Sequence, residues 1–82
     1  MQVTLTRQAA RNLEGLPLVI HARMLVLLER LARWPAVSGV KPLTGSLAGH
    51  YRLRTGDYRL QFRVESRSIV VENIGHRDHF YD

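Results

Sequence analysis

Arginines alternate with large apolar residues from His50 to Val64, on either side of a Thr55-Gly56-Asp57 turn. Strand side chains point to opposite faces with period two. That pattern predicts a hairpin with Tyr51, Leu53, Tyr58, Leu60, Phe62 and Val64 on one face and Arg52, Arg54, Arg59, Gln61 and Arg63 on the other. A row of guanidinium groups on a rigid sheet suits phosphate, because each is a planar, permanently charged fork of donors. Shortly downstream, His76 and His79 flank Arg77. Imidazole titrates near neutral pH, so these two are candidates for moving protons or for contacting phosphate. Their spacing would also suit a metal, but no third ligand lies nearby in the sequence, and neither a metal nor a cofactor is expected.

The elements that must position these groups fall into two halves. Residues 2–5 read as a short strand, and Thr6 as the cap of a helix over Arg7 to Glu14 that stops at Gly15. Pro17 suits the first turn of a longer helix ending near Trp34, where Pro35 terminates it. Within that helix Ile20, Met24, Leu27, Leu28 and Leu31 make a broad apolar face, and Arg23, Arg30 and Arg33 mark the wet side. Residues 36–49, rich in Gly, Ser, Pro and Thr, read as an ordered loop containing at most the start of a strand and carrying an isolated Lys41. Three strands follow, over 50–55, 57–65 and 68–74, with a tight turn at Ser66-Arg67. Residues 1–82 thus predict a single α+β domain, with a helix pair on one face of a twisted sheet and the other face open for the arginines. Tyr51, Tyr58 and Phe62 are expected in the core and Trp34 as a packing anchor. His21 and His50 are expected as surface or hydrogen-bonded structural residues.

At 82 residues the chain has room for one modest core. The absence of cysteine excludes a disulfide framework and a thiolate zinc site. Neither a signal peptide nor a membrane span is apparent, since the longest apolar segment is broken by His21, Arg23, Glu29 and Arg30; a soluble cytoplasmic protein is the expectation. A formal net charge of +5 calls for an anionic partner, and six of the twelve basic residues lie between Arg52 and Arg77.

The run Lys41-Pro42-Leu43-Thr44-Gly45, then Tyr51-Arg52-Leu53-Arg54, Tyr58-Arg59-Leu60, Phe62-Arg63-Val64, Ile74-Gly75-His76-Arg77 and a terminal Tyr81, resembles the RelE/ParE superfamily of toxins from type II toxin-antitoxin systems. Each motif alone is weak; together, in this order, they are specific. The resemblance implies a β-α-α-β-β-β fold, its helical hairpin packed on one face of a small, mainly antiparallel sheet. It also implies a toxin silenced by a cognate antitoxin, in a complex that binds operator DNA through the antitoxin. The RelE branch comprises metal-independent endoribonucleases acting on messenger RNA in the ribosome, and the ParE branch poisons DNA gyrase.

Carried over by position, the RelE pattern assigns catalytic roles to Arg52, Arg54, Arg59, Arg77 and Tyr81, which favours the ribonuclease branch. It carries lysines at the positions of Arg52 and Arg54, and arginine effectively cannot lose its proton. Proton transfer therefore falls to His76, His79 or Tyr81, with Lys41 and Arg63 as further RNA contacts. Tyr81 and its neighbour Phe80 share two possible jobs, packing the tail on the sheet and stacking on a base.

Overall fold

The first strand lies beside a strand from the other end of the sequence. Strand β1 (Gln2–Leu5) runs parallel to the last strand, β5 (Ser68–His76), with Val3 opposite Ile69 and Leu5 opposite Val71. The computed structural model describes residues 1–79. Thr6 then turns the chain into helix α1 (Arg7–Glu14): its hydroxyl accepts from the Ala9 N–H at 3.1 Å and donates to the Glu72 carbonyl at 3.0 Å. One side chain thereby caps a helix and holds a strand edge.

Helix α2 (Leu18–Leu31) follows Pro17. It ends three residues before the expected Trp34. The N–H groups of Ala32, Arg33 and Trp34 bond to the carbonyls of Glu29, Arg30 and Leu31, each three residues back, so the final turn is tighter than an α-helix. Trp34 packs on Tyr51 and Phe62, with ring centroids 5.2 and 5.5 Å away. Met24, Leu27 and Leu31 are buried, as their spacing predicts, whereas Leu18, Val19, Leu25 and Val26 are exposed on the outward side. Among the described residues, no helix is long and apolar enough to cross a membrane.

The sheet has the order β1-β5-β4-β3-β2, where β2 is Lys41–Pro42, β3 is His50–Thr55 and β4 is Tyr58–Glu65. The expected loop does contain a strand start, together with one 3-10 turn at Gly45–Leu47. Strand β5 runs two residues further than expected, to His76. Thr55 pairs with Tyr58 across a two-residue turn, and Gly56 supplies its positive φ of 59°. Against the helices the sheet contributes Leu53, Leu60, Phe62, Ile69, Val71 and Ile74 to the core, joined by Ala9 of α1.

Strict alternation fails once, where it matters. Phe62 pairs with Val71, but Gln61 pairs with Asn73, so Glu72 is an extra residue in β5. The bulge lets Val71 and Ile74, three apart, both face the core, and it leaves Glu72 with the polar residues opposite. Among the described residues, no strand pairs with the outer edge of β5 beyond Val71. Helix α1 substitutes: the Ile74 N–H donates to Asn12 Oδ1 at 3.1 Å.

Candidate functional site: a cationic sheet face

Cross-strand register brings the basic residues together. Arg54 lies opposite Arg59, and Arg59 opposite Gly75; one step along, Arg52 is flanked by Lys41 on one side and Gln61 on the other. Directly opposed residues share a face, so Lys41, Arg52, Arg54 and Arg59 form one cationic surface. Arg77, just past β5, joins them because its N–H donates to the Asp57 carbonyl at 2.8 Å, tying the end of the sheet to the hairpin turn. Its Nε lies 3.8 Å from Asp57 Oδ1.

This face is not the uniformly open row that alternation predicts. Arg59 is only 5% exposed. Burial, reinforced by the like charges of Arg52, Arg54 and Arg77, lowers its pKa from the ordinary arginine value, against the opposing pull of Asp57. Like charges gathered around a guanidinium make the arrival of an anion more favourable.

Arg63 has a different environment. Its Nη1 donates to Glu72 at 2.9 Å and its Nε to Glu65 at 3.0 Å, bonds that raise its pKa. The bulge carboxylate also meets His50 Nδ1 at 2.6 Å and accepts from Gln61 Nε2 at 3.2 Å. Glu72 is thus the anionic end-stop of the basic face, and Arg63, a candidate RNA contact, is engaged within the sheet. His50 is the hydrogen-bonded structural residue expected of it. The role of Glu72 lies beyond pattern reading, although the signal is present: two adjacent polar residues, Glu72 and Asn73, interrupt Ile-Val-Val and Ile, and mark the bulge.

Desolvation pushes the Glu72 carboxyl up, but the bonds from His50, Gln61 and Arg63 outweigh it and hold it below the ordinary glutamate range. With the folded-state pKa depressed, its contribution to stability is present above the unfolded value and is lost as pH falls through the folded one. Glu72→Gln should cost about 1.5–3 kcal/mol at neutral pH, the worth of bonds to a charged group. Urea unfolding as a function of pH checks this: the wild-type and Glu72→Gln curves should converge on acidification, and parallel curves would refute the role.

The two histidine rings lie 6.2 Å apart, edge to face, but have different neighbours. His76 lies opposite Tyr58, its ring 5.2 Å from the tyrosine ring, and so shares the core-side face with Tyr58 instead of the arginine face. Its Nδ1 accepts from the Asp78 N–H at 3.2 Å. His79, exposed in the 3-10 turn Arg77–His79, borders a cleft with Gln61, Asn73 and Gly75, and Gly75 is the residue opposite Arg59. Tyr81 and Phe80 lie outside the described residues. Among the described residues, no three His, Cys, Asp or Glu side chains converge as metal ligands.

A short β-α-α-β-β-β-β domain with a cationic sheet face has the architecture expected of RelE-like toxins, and comparison with known proteins places the chain. Residues 3–81 match the model of the ParE toxin of type II toxin-antitoxin systems, and the chain belongs to that family. It is 37% identical to toxin RelG of Mycobacterium tuberculosis, over 96% of this chain and 93% of that protein. Toxin RelE3 of Methanocaldococcus jannaschii is 25% identical, with 100% and 97% covered. The crystal structure of the toxin-antitoxin complex RelBE2 from Mycobacterium tuberculosis contains a chain that superposes with a TM-score of 0.81 at 34% identity, covering 93% of this chain and 96% of that one. The expected α+β fold, a helix pair on one face of a mainly antiparallel sheet, is the fold found, with β1 and β5 as its one parallel pair among the described residues, and the protein is a toxin of a type II toxin-antitoxin system.

Proposed function

We propose that this toxin is a messenger-RNA endonuclease that works without a metal on ribosome-bound transcripts. The observation that carries the reading is Arg59, 5% exposed and within the field of Arg52, Arg54 and Arg77: a cationic cluster positioned by the sheet before a phosphate arrives. In the reaction the ribose 2′-hydroxyl attacks the adjacent phosphorus and the bond to the 5′-oxygen breaks, giving a 2′,3′-cyclic phosphate and a 5′-hydroxyl. Arg59 and Arg77 bind the phosphate and stabilise the charge that builds on its oxygens, and Arg52 and Arg54 assist electrostatically. None of these guanidiniums serves as the base. His79, beside the cleft that reaches Gly75, is the better placed of the two histidines to accept or deliver a proton, a duty it shares with Tyr81.

The partner is a cognate antitoxin, in keeping with the toxin-antitoxin complex in which the RelBE2 relative was solved. An acidic, disordered segment containing an amphipathic helix suits this surface, its helix on the outward Leu18, Val19, Leu25 and Val26 stripe and its carboxylates toward the arginines. The resulting complex reaches operator DNA through the antitoxin.

The test is brief induction in bacterial cells beside an Arg59→Ala, Arg77→Ala double variant, with new RNA 5′ ends mapped across the transcriptome. Fresh 5′-hydroxyl ends confined to translated frames, and absent in the variant, are expected. With purified ribosomes, cleavage should be unchanged by EDTA; loss of activity that magnesium or zinc restores would overturn the metal-free reaction. The family model, whose description is a ParE toxin, favours a second reading, inhibition of DNA gyrase through a protein interface. Growth arrest with intact messages and trapped double-strand DNA breaks would establish that reading.

A further inference from the structure

Beside the cationic face lies a cleft of ≈ 360 Å³ whose described lining is Gln8, Asn12, Gln61, Asn73, Ile74, Gly75 and His79. It exists because β1 stops opposite Val71, so that α1, not a strand, covers the remaining edge of β5. The volume is in the range of small-molecule sites, ~300–1,000 Å³. Four carboxamides and an imidazole line it, with no lysine, arginine, aspartate or glutamate among the described residues. That lining suits a neutral, planar, hydrogen-bonding ligand better than an ion.

Two of the amides have their polarity decided by neighbours. Asn12 must present its oxygen to the Ile74 N–H, which leaves its NH₂ as a donor. Gln61 must present its NH₂ to the Glu72 carboxylate, which leaves its oxygen as an acceptor. The cleft therefore offers a donor and an acceptor that cannot exchange roles. Adenine matches this pair on either edge, through its N6 amino group with N1 or with N7, and amide side chains are its usual partners. Ile74 and Gly75 supply an apolar residue and a side-chain-free position where a flat ring can rest.

Position completes the case. The Gln61 and Asn73 pair lies two residues along the strands from the Arg59 and Gly75 pair, about 7 Å at the rise of a β-strand. That is the reach from a phosphate to the base of the same nucleotide. We propose that the cleft between α1 and β5 is a base pocket that seats adenine of the RNA whose phosphate Arg59 and Arg77 hold. The proposal rests on the ribonuclease reading for its substrate and makes the toxin selective for sequence through Gln8, Asn12, Gln61 and Asn73.

Nuclear magnetic resonance titration of the full chain tests it without requiring cleavage. Adenosine 3′-monophosphate should move the side-chain amide signals of Asn12, Gln61 and Asn73 and bind about tenfold more tightly than uridine 3′-monophosphate, the discrimination of one good base contact pair. Inorganic phosphate should move only arginine signals. In a Gln61→Leu variant, which lacks the fixed acceptor, the preference for adenosine should vanish while the arginine shifts persist. Equal binding of the two nucleotides by the wild type, or no amide signal moving at millimolar nucleotide, overturns the pocket, whether or not the variant folds. Base-selective binding by a chain that leaves cellular RNA intact would keep the pocket and sink the nuclease. Cleavage without base-selective binding would do the reverse.

Discussion

Arg59→Met is expected to abolish RNA cleavage while leaving the protein folded. Removing one charged donor from a site that stabilises developing negative charge typically costs about 10²–10³-fold in rate, roughly 3–4 kcal/mol. Methionine retains the apolar stem and removes the charge. Burial and the like charges of Arg52, Arg54 and Arg77 lower the pKa of Arg59, so its charge is held ready for an anion and is not a core packing element. Activity should fall far more than stability. Single-turnover cleavage of ribosome-bound message, measured with the melting temperature of the same preparation, decides the matter. Inorganic phosphate should raise the melting temperature of the wild type and have less effect on the variant, since an anion that binds the folded state stabilises it. A variant that loses stability and activity in proportion would show Arg59 to be a structural residue.

Phe62→Ala should produce the largest change in stability. Phe62 is fully buried, stacks on Tyr51 at 5.4 Å and meets Trp34 at 5.5 Å, joining the end of α2 to the centre of the sheet. Truncating a buried phenylalanine costs about 3–5 kcal/mol, and a lost aromatic pair adds about 0.5–1.5 kcal/mol. Small domains have about 5–15 kcal/mol in total. For a chain of this size, each kcal/mol shifts the melting temperature by about 4–8 °C, so a fall of roughly 15–30 °C is expected. Thermal unfolding followed by circular dichroism measures it, with Phe62→Leu falling between the two. A fall below about 5 °C would mean that the aromatic cluster does not hold the helix layer to the sheet.

Phe62 and Arg59 also show how far the sequence alone can be read. Alternation about the Gly56 turn assigns both to the correct faces, and the turn itself sets the register of β3 on β4. Periodicity reports direction, however, and not depth. It predicts Arg59 and Arg63 as equal members of an open row, whereas one is buried among cations and the other is bound to Glu65 and Glu72. His76 likewise looks equivalent to His79 in the sequence. The extra residue at Glu72 carries His76 to the side of Tyr58, away from Arg59.

Local chemistry in the sequence by itself determined the α+β class, the helix starts at Thr6 and Pro17, the basic hairpin and the family resemblance, because caps, turns and period-two patterns act over a few residues. Tertiary structure alone decided the rest. The bulge that anchors the basic face depends on pairing between β4 and β5. The hold of Asn12 on Ile74 joins residues 62 apart and gives the amide cleft its wall. Arg77 is positioned by a carbonyl of the hairpin turn at Asp57. Each is a contact whose partner no local pattern can name, since its energy is gained only when distant segments are packed together.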